Sequence, residues 1–211
     1  MSGRLLGCVL ALLIAASGHA RAGTQEAWRF RVLLDGDEIG RHVFESRPDG
    51  ATRELVSQAD FRVRILFFDA FRYEHRATER WRGDCLESLS ARTTENGRSE
   101  SVDASRDDAG FLVRTKRGQS RLQGCVRSFA YWNPDILRGG YLLNAQTGES
   151  VPVNVTGLGQ ETLTVRGRTQ NTRRYRLSGP DIAIDLWYSG QGDWVALESR
   201  VKGGVIRYEI L

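Results

Sequence analysis

Few residues in this sequence combine a reactive side chain with an informative spacing. The 211 residues include three histidines and three cysteines, so a catalytic or metal-binding set has few members to draw on. His75 and Glu79 share one face of a segment in which apolar and charged side chains alternate. Because four residues of extended strand span about 13 Å, these two side chains need partners from neighbouring strands to act together. They indicate either contacts to a ligand or buried polar groups that neighbouring strands satisfy.

Other catalytic patterns are not evident in the sequence. A zinc site needs three or four ligands, and the only histidine besides His75 that follows residue 22 is His42. The sequence therefore predicts no metal and no cofactor. The nucleophile motif G-x-S-x-G does not occur. Paired carboxylates for glycoside chemistry stay open, but their spacing selects no particular pair.

The N-terminus has the pattern of a secretory leader. A positively charged start precedes an apolar run from Leu5 to Ala16 and the small-x-small ending Ala20-Arg21-Ala22. This predicts a signal peptide over residues 1–22, since the apolar run is too short and wrongly flanked for a membrane span. A lipoprotein cleavage box at Cys8 is the alternative, although the apolar run follows that cysteine when it should precede it.

Cleavage would leave two cysteines, Cys85 and Cys125, in a chain bound for an oxidising compartment. A disulfide between them is the natural interpretation, and closing a loop of this length would stabilise the fold by roughly 4 kcal/mol in the chain-entropy model. A thiol nucleophile or metal pair is the alternative, which no Cys-x-x-Cys motif supports.

The charge and hydropathy of the sequence limit the kinds of partner that we expect. Loss of Arg4 and Arg21 with the leader lowers the formal charge from +4 to +2, and no block of like charge indicates a nucleic-acid surface. No later segment is apolar enough to span a membrane. We therefore expect a periplasmic or secreted protein with no nucleic-acid partner and no transmembrane segment; the sequence indicates no oligomeric state.

The elements that must position the candidate residues are strands. Side chains from Phe71 to Arg82 alternate between an apolar and a charged face, and turn signals such as Asn96-Gly97 recur every 8 to 14 residues. A dozen or more short strands predict an antiparallel meander. So many strands do not stay flat, so we expect a barrel or half-barrel formed by one domain over residues 23–211.

One stretch of the sequence departs from the alternating pattern of the strands. Between Cys125 and Tyr141, Asn133-Pro134-Asp135 has the order of a helix start: a capping side chain, a proline at the first position and an acid in the first turn. Gly139-Gly140 would end the helix. We predict a short helical segment near residues 127–138 that serves as the lid or plug of the β structure.

Several blocks carry a family resemblance. They are W-R-G-D-C-L-E-S-L-S-A-R-T-T-E-N-G, S-F-A-Y-W-N-P-D-I-L, L-N-A-Q-T-G-E, D-L-W-Y-S-G-Q-G-D-W-V-A-L-E-S and the closing R-Y-E-I-L. The chain resembles an uncharacterised family of small exported bacterial β-rich proteins, a domain of unknown function. More remotely, its meander is similar to the open-barrel envelope proteins that carry lipoprotein acyl chains. That similarity implies a half-barrel around an apolar cavity with a helical lid, and brings no catalytic residues.

Three functions are compatible with this architecture. The favoured one is a binding protein whose half-barrel cavity holds an apolar small molecule or lipid. An enzyme is the alternative, a hydrolase or isomerase using His75, Glu79 and Asn133. A structural envelope protein, with its interior filled by side chains, is the third. The expected ligand-contacting residues are Phe71, Tyr73, His75, Glu79, Trp81, Tyr131, Trp132 and Asn133.

Overall fold

The computed structural model describes residues 25–65, 68–201 and 204–211, which form fifteen strands and one short 3-10 helix. The predicted signal peptide lies outside the described residues. The strands of the first half are β1 (Glu26–Leu34), β2 (Asp37–Asp49), β3 (Thr52–Ile65), β4 (Phe68–Arg82), β5 (Cys85–Glu95), β6 (Arg98–Asp107), β7 (Gly110–Thr115) and β8 (Gly118–Leu122). After them come β9 (Arg127–Ser128), the helix (Pro134–Arg138), β10 (Gly140–Leu143), β11 (Ser150–Val165), β12 (Arg168–Gly179), β13 (Ile182–Ser189), β14 (Trp194–Val201) and β15 (Gly204–Ile210).

The strands form one sheet in the order β8 to β1 and then β15 to β9. Each pairs antiparallel with its neighbour, except that β9 and β10 run parallel. β1 joins the two halves of the chain by pairing with β15, which places Val32 opposite Tyr208. β8 and β9 are the free edges, so the sheet is not closed. The predicted antiparallel meander with one short helical segment is confirmed.

The sheet curls until its two halves share a core. The alternating side chains of β4 are buried from Tyr73 to Trp81, while Arg72, Arg76 and Arg80 on the opposite face are exposed, as period-two patterning dictates. One apolar cluster combines residues of both halves, including Phe30, Trp81, Leu89, Phe111, Leu142, Leu186 and Trp194. Burial of this inner face against the opposite wall is what holds the curl.

Two strands have irregular ends or interiors. β11 is continuous from Ser150 to Val165, across the glycines near its centre. A bulge at Gly157 and Gly159 absorbs the irregularity without ending the ladder, because glycine tolerates the positive φ of 96° at Gly159. β8 ends at Leu122 and does not reach Cys125.

Candidate functional site

The segment from Cys125 to Gly139, hereafter the crossing segment, leaves one edge of the sheet and enters its interior. Cys85 and Cys125 form the predicted disulfide, with 5.1 Å between their Cα atoms. Next to it, the Leu86 backbone N–H donates to the carbonyl of Val126 at 2.8 Å. These two links attach the crossing segment to the start of β5. Buried Val126, Ala130 and Ile136 then anchor it in the core.

Polar contacts fix the shape of the crossing segment. Asn133 caps the helix as predicted, its Oδ1 accepting from the Asp135 backbone N–H at 3.0 Å. The Arg127 guanidinium donates to the carbonyls of Asp135 and Gly139, each at 2.7 Å. The helix is shorter than the sequence suggested, because Arg127 and Ser128 pair with β10 as a two-residue strand. The segment is therefore a braced loop with a single helical turn.

Adjacent aromatics of the crossing segment have different surroundings. The Trp132 ring lies 5.6 Å from that of Trp81 and 6.1 Å from that of Trp28. The Tyr131 ring lies 5.3 Å from that of Trp194, and the Tyr188 hydroxyl donates to the Tyr131 carbonyl at 2.8 Å. Trp132 thus belongs to the end of the sheet where β1 begins, and Tyr131 belongs to the interior.

An open cleft occupies the end of the sheet beside Trp132. Its volume is about 1140 Å³, and turns of both halves of the chain border it. Trp28, Trp81, Trp132, Asn133, Arg53 and Arg166 are among its lining residues. The Arg53 guanidinium lies 5.7 Å from the centre of the Trp132 ring, a cation–π distance. The indole N–H of Trp132 is buried without an acceptor among the described residues.

Glu79 lies below this cleft and is fully enclosed. Its Oε2 accepts from the indole N–H of Trp81 at 2.9 Å. Burial raises the pKa of Glu79 to about 7, and the nearby Ser128 hydroxyl and Trp81 indole oppose that rise. Near neutral pH the group therefore exists in both protonation states, and no cation pairs with it among the described residues.

Farther along β4, away from the cleft, lies a group of imidazoles and hydroxyls. His75 Nδ1 is 2.9 Å from the Thr93 hydroxyl. His42 Nε2 is 2.7 Å from the Ser57 hydroxyl, and His42 Nδ1 is 3.2 Å from the hydroxyl of Tyr208. Burial lowers the pKa of His42 to about 3, helped by His75, and burial alone lowers that of His75 to about 4. Both rings are therefore neutral at physiological pH.

The structure divides the eight expected ligand-contacting residues. Trp81, Trp132 and Asn133 line the cleft, and Glu79 lies between the cleft and the interior. The interior and the far end of β4 hold Phe71, Tyr73, His75 and Tyr131. His75 and Glu79 do not meet, since each bonds to a different partner. Their part in binding stays a prediction.

Sequence reasoning gave no role to His42, Ser57 or Trp28. Period two along β2 puts His42 on the face of buried Phe44, so that signal was present. The contact of His42 with Ser57, fifteen residues away in sequence, depends on the diagonal between strands and had no local signal.

Two kinds of feature are absent from the described residues. No group of three or more His, Cys, Asp or Glu side chains could hold a metal ion there. The described part of the chain also contains no helix long and apolar enough to cross a membrane.

Known structures show the same fold. A crystal structure of a β-barrel-like protein of domain of unknown function DUF1849 from Brucella abortus matches with a TM-score of 0.66 and 12% sequence identity. The match covers 88% of this chain and 94% of that chain. The curled sheet with its crossing segment therefore defines a protein of the β-barrel-like class.

The family is shown by sequence. The model described as "Domain of unknown function (DUF6134)" matches residues 30–211, and the chain belongs to that family. The predicted membership of an uncharacterised β-rich family is thereby confirmed. No curated protein matches the chain.

Proposed function

We propose that this chain is an exported binding protein, periplasmic or secreted, that holds a lipid-like or other apolar molecule in its curled sheet. The observation that carries the proposal is the cleft of about 1140 Å³, whose lining combines Trp28, Trp81 and Trp132 with charged residues such as Arg53 and Arg166. Small-molecule sites are concave and of roughly 300–1,000 Å³, so the cleft is large enough for a ligand of that size.

The lining of the cleft narrows the kind of molecule that it suits. The rings of Trp28 and Trp132 can contact an apolar chain or ring, while Arg53 and Arg166 keep part of the lining polar. The cleft thus suits an amphipathic molecule better than a pure hydrocarbon.

Export is supported by two features. The N-terminal sequence has the charge and hydropathy of a signal peptide, and the Cys85–Cys125 disulfide is typical of proteins in oxidising compartments. Both agree with a protein that meets its ligand in the cell envelope or outside the cell.

The two alternatives receive less support. For the enzyme, His75 and Glu79 have separate partners, and the Asn133 side chain caps the helix, so no set of the three converges on a substrate. For the structural protein, the interior around Phe30 and Trp194 is packed, but the cleft beside Trp132 is not filled by side chains. Binding is the function that uses this space.

The first test is native mass spectrometry of the mature protein purified from the periplasm, with the extracted small molecules identified. A co-purifying lipid or apolar metabolite is the expected result. The mature chain should begin at Gly23 and be two hydrogens lighter than its reduced mass. An empty protein that also binds no fatty acid and no fluorescent hydrophobe would overturn the proposal.

A variant locates the binding site. Trp132→Leu should weaken binding of the neutral dye Nile red by at least about tenfold, because a large aromatic contact surface is lost. Tyr141→Leu is the matched control, since Tyr141 is 68% exposed and does not line the cleft. Equal dye affinity in the two variants would show that the dye does not use the cleft.

A further inference from the structure

Small side chains form a contiguous patch on the inner face of β3, β4 and β5. Ser57, Ala77 and Ala91 are cross-strand neighbours, and Ala59 and Thr93 flank His75 in the next row. All five face inward and are buried. Each fills less volume than the large apolar residues that line the rest of this wall.

Larger polar side chains surround this patch and still present surface. His42, Tyr131 and Tyr208 lie deep in the interior, where burial shifts the pKa of each, yet all three are partly exposed. Tyr131 is close enough to Tyr73 and Tyr208 to raise the pKa of both phenols. A side chain that retains accessible surface in such surroundings borders a space that a water molecule can reach.

Several polar atoms bordering this space lack protein partners. The His75 ring uses Nδ1 for Thr93, and its Nε2 has no hydrogen bond to any described residue. The hydroxyls of Tyr73 and Tyr131 likewise have none within the described ranges. Polar groups in such surroundings need water or a ligand to satisfy them.

We propose that these residues bind the uncharged polar end of a ligand, such as an alcohol, ester or amide group. The residues, hereafter the inner polar cluster, are His42, Ser57, Tyr73, His75, Thr93, Tyr131 and Tyr208. The inference rests on the proposed function, because it assigns the chemical class of the ligand's polar end. Phenols and neutral imidazoles both donate and accept hydrogen bonds, which matches a hydroxyl or carbonyl.

Charged ligand ends are disfavoured by the same residues. An ion that enters this space loses its hydration and needs a counter-charge, and the inner polar cluster supplies none. Glu79 is four residues from His75 along β4, or about 13 Å. Glu95, the cross-strand neighbour of Tyr73, is exposed. Carboxylates and ammonium groups should therefore bind less tightly than their neutral analogues.

The experiment compares ligands that differ only at the polar end. Binding of 1-decanol, decanoate and decylammonium to the intact mature protein is measured by titration calorimetry at pH 8, and Nile red binding is measured in parallel. Decanol should bind at least about tenfold more tightly than either ion, given the unpaired-charge cost. Decanoate or decylammonium binding as tightly as decanol would overturn the inference.

A double variant tests whether the inner polar cluster causes the preference for decanol over the two ions. Tyr73→Phe with Tyr131→Phe removes two hydroxyls that make no protein hydrogen bond, so folding should be preserved. The preference for decanol over decanoate should fall several-fold, while Tyr141→Phe, at an exposed tyrosine, leaves it unchanged.

Retention of the full preference in the double variant would overturn the inference. If Nile red still binds to a double variant that keeps the full preference, the proposed function stands without this inference. If neither Nile red nor any decyl compound binds the wild-type protein, both are wrong.

Discussion

Glu79 and Asp185 are carboxyl groups with 6% and 5% of their surface exposed, but they lie on opposite faces of the sheet. Asp185 accepts from the guanidinium groups of Arg176 and Arg174, and these bonds lower its pKa. Glu79 meets an indole and a serine, and burial raises its pKa to about 7. Similar solvent exposure thus has opposite consequences, because Glu79 lies deep in the interior without a counter-charge, whereas Asp185 lies near the surface beside two guanidinium groups.

The difference follows from how each face is covered. The outer face carries many Arg and Glu side chains, so several acids there pair with a guanidinium, as Glu209 pairs with Arg31 at 2.7 Å. The inner carboxyl is covered by the crossing segment, which brings the Ser128 hydroxyl close to it. The outer arrangement stabilises the sheet, whereas the inner one leaves a titratable group below the cleft.

The largest expected effect comes from freeing the crossing segment. Replacing Cys85 and Cys125 with serine should lower the free energy of unfolding by about 4 kcal/mol, the chain-entropy value for a loop of 40 residues. It should also admit water to Glu79 and lower its pKa towards the ordinary value, without changing that of Asp185. Urea denaturation and carboxyl ¹³C titration measure the two effects.

If the pKa values of Glu79 and Asp185 both shifted, the disulfide would be acting on the whole sheet. An unchanged Glu79 titration would mean that apolar packing of Val126, Ala130 and Ile136 keeps the segment in place without the covalent link.

The next effect concerns Glu79 and pH. Its folded-state pKa is raised, so it contributes stability that is present below about pH 4.5 and is lost as pH rises through about 7. Glu79→Gln removes this dependence while keeping an acceptor for Trp81. The free energy of unfolding of the variant, relative to that of the wild type, should rise by roughly 2 to 3 kcal/mol from pH 5 to pH 8. Urea denaturation at both pH values measures it.

Asp185→Asn is the matched counterpart on the outer face. The pKa of Asp185 is lowered, so its contribution is lost only as pH falls below about 4. The free energy of unfolding of the asparagine variant should therefore be lower than that of the wild type by the same amount at pH 5 and pH 8. We expect about 2 kcal/mol, because the partly exposed arginines keep some hydration. A pH-independent difference for Glu79→Gln as well would contradict the assigned pKa.

Sequence patterns predicted the surroundings of the inner carboxyl group better than those of the outer one. Alternation along β4 placed Glu79 on the buried face, and the Asn133-Pro134 pair located the helix start. Cysteine counting identified the disulfide. These signals are local, or follow from composition.

The missing parts depend on contacts between distant strands. The meeting of β1 with β15, and of His42 with Tyr208 across 166 positions, has no signature in nearby residues. Trp187 shows the same limit. It packs on the outer face under Arg174, and its indole N–H donates to Glu161, which is 26 positions away in sequence.

The smallest expected effect is that of Ser128→Ala. The Ser128 hydroxyl is close enough to Glu79 to oppose the rise of its pKa, but it makes no hydrogen bond of good geometry. Its loss should change the free energy of unfolding by less than about 1 kcal/mol and raise the pKa of Glu79 slightly above 7. Ser57→Ala, which removes a 2.7 Å bond to His42, should cost about 1 to 2 kcal/mol and leave Glu79 unchanged.

Equal losses in the two serine variants would mean that a polar contact with Glu79 holds the crossing segment in place. Protonation of Glu79 would then change how firmly that segment closes the interior. Unequal losses, with a shifted Glu79 titration only for Ser128→Ala, would mean that packing and the disulfide hold the segment. In that case Ser128 contributes mainly to the electrostatic surroundings of the inner carboxyl group.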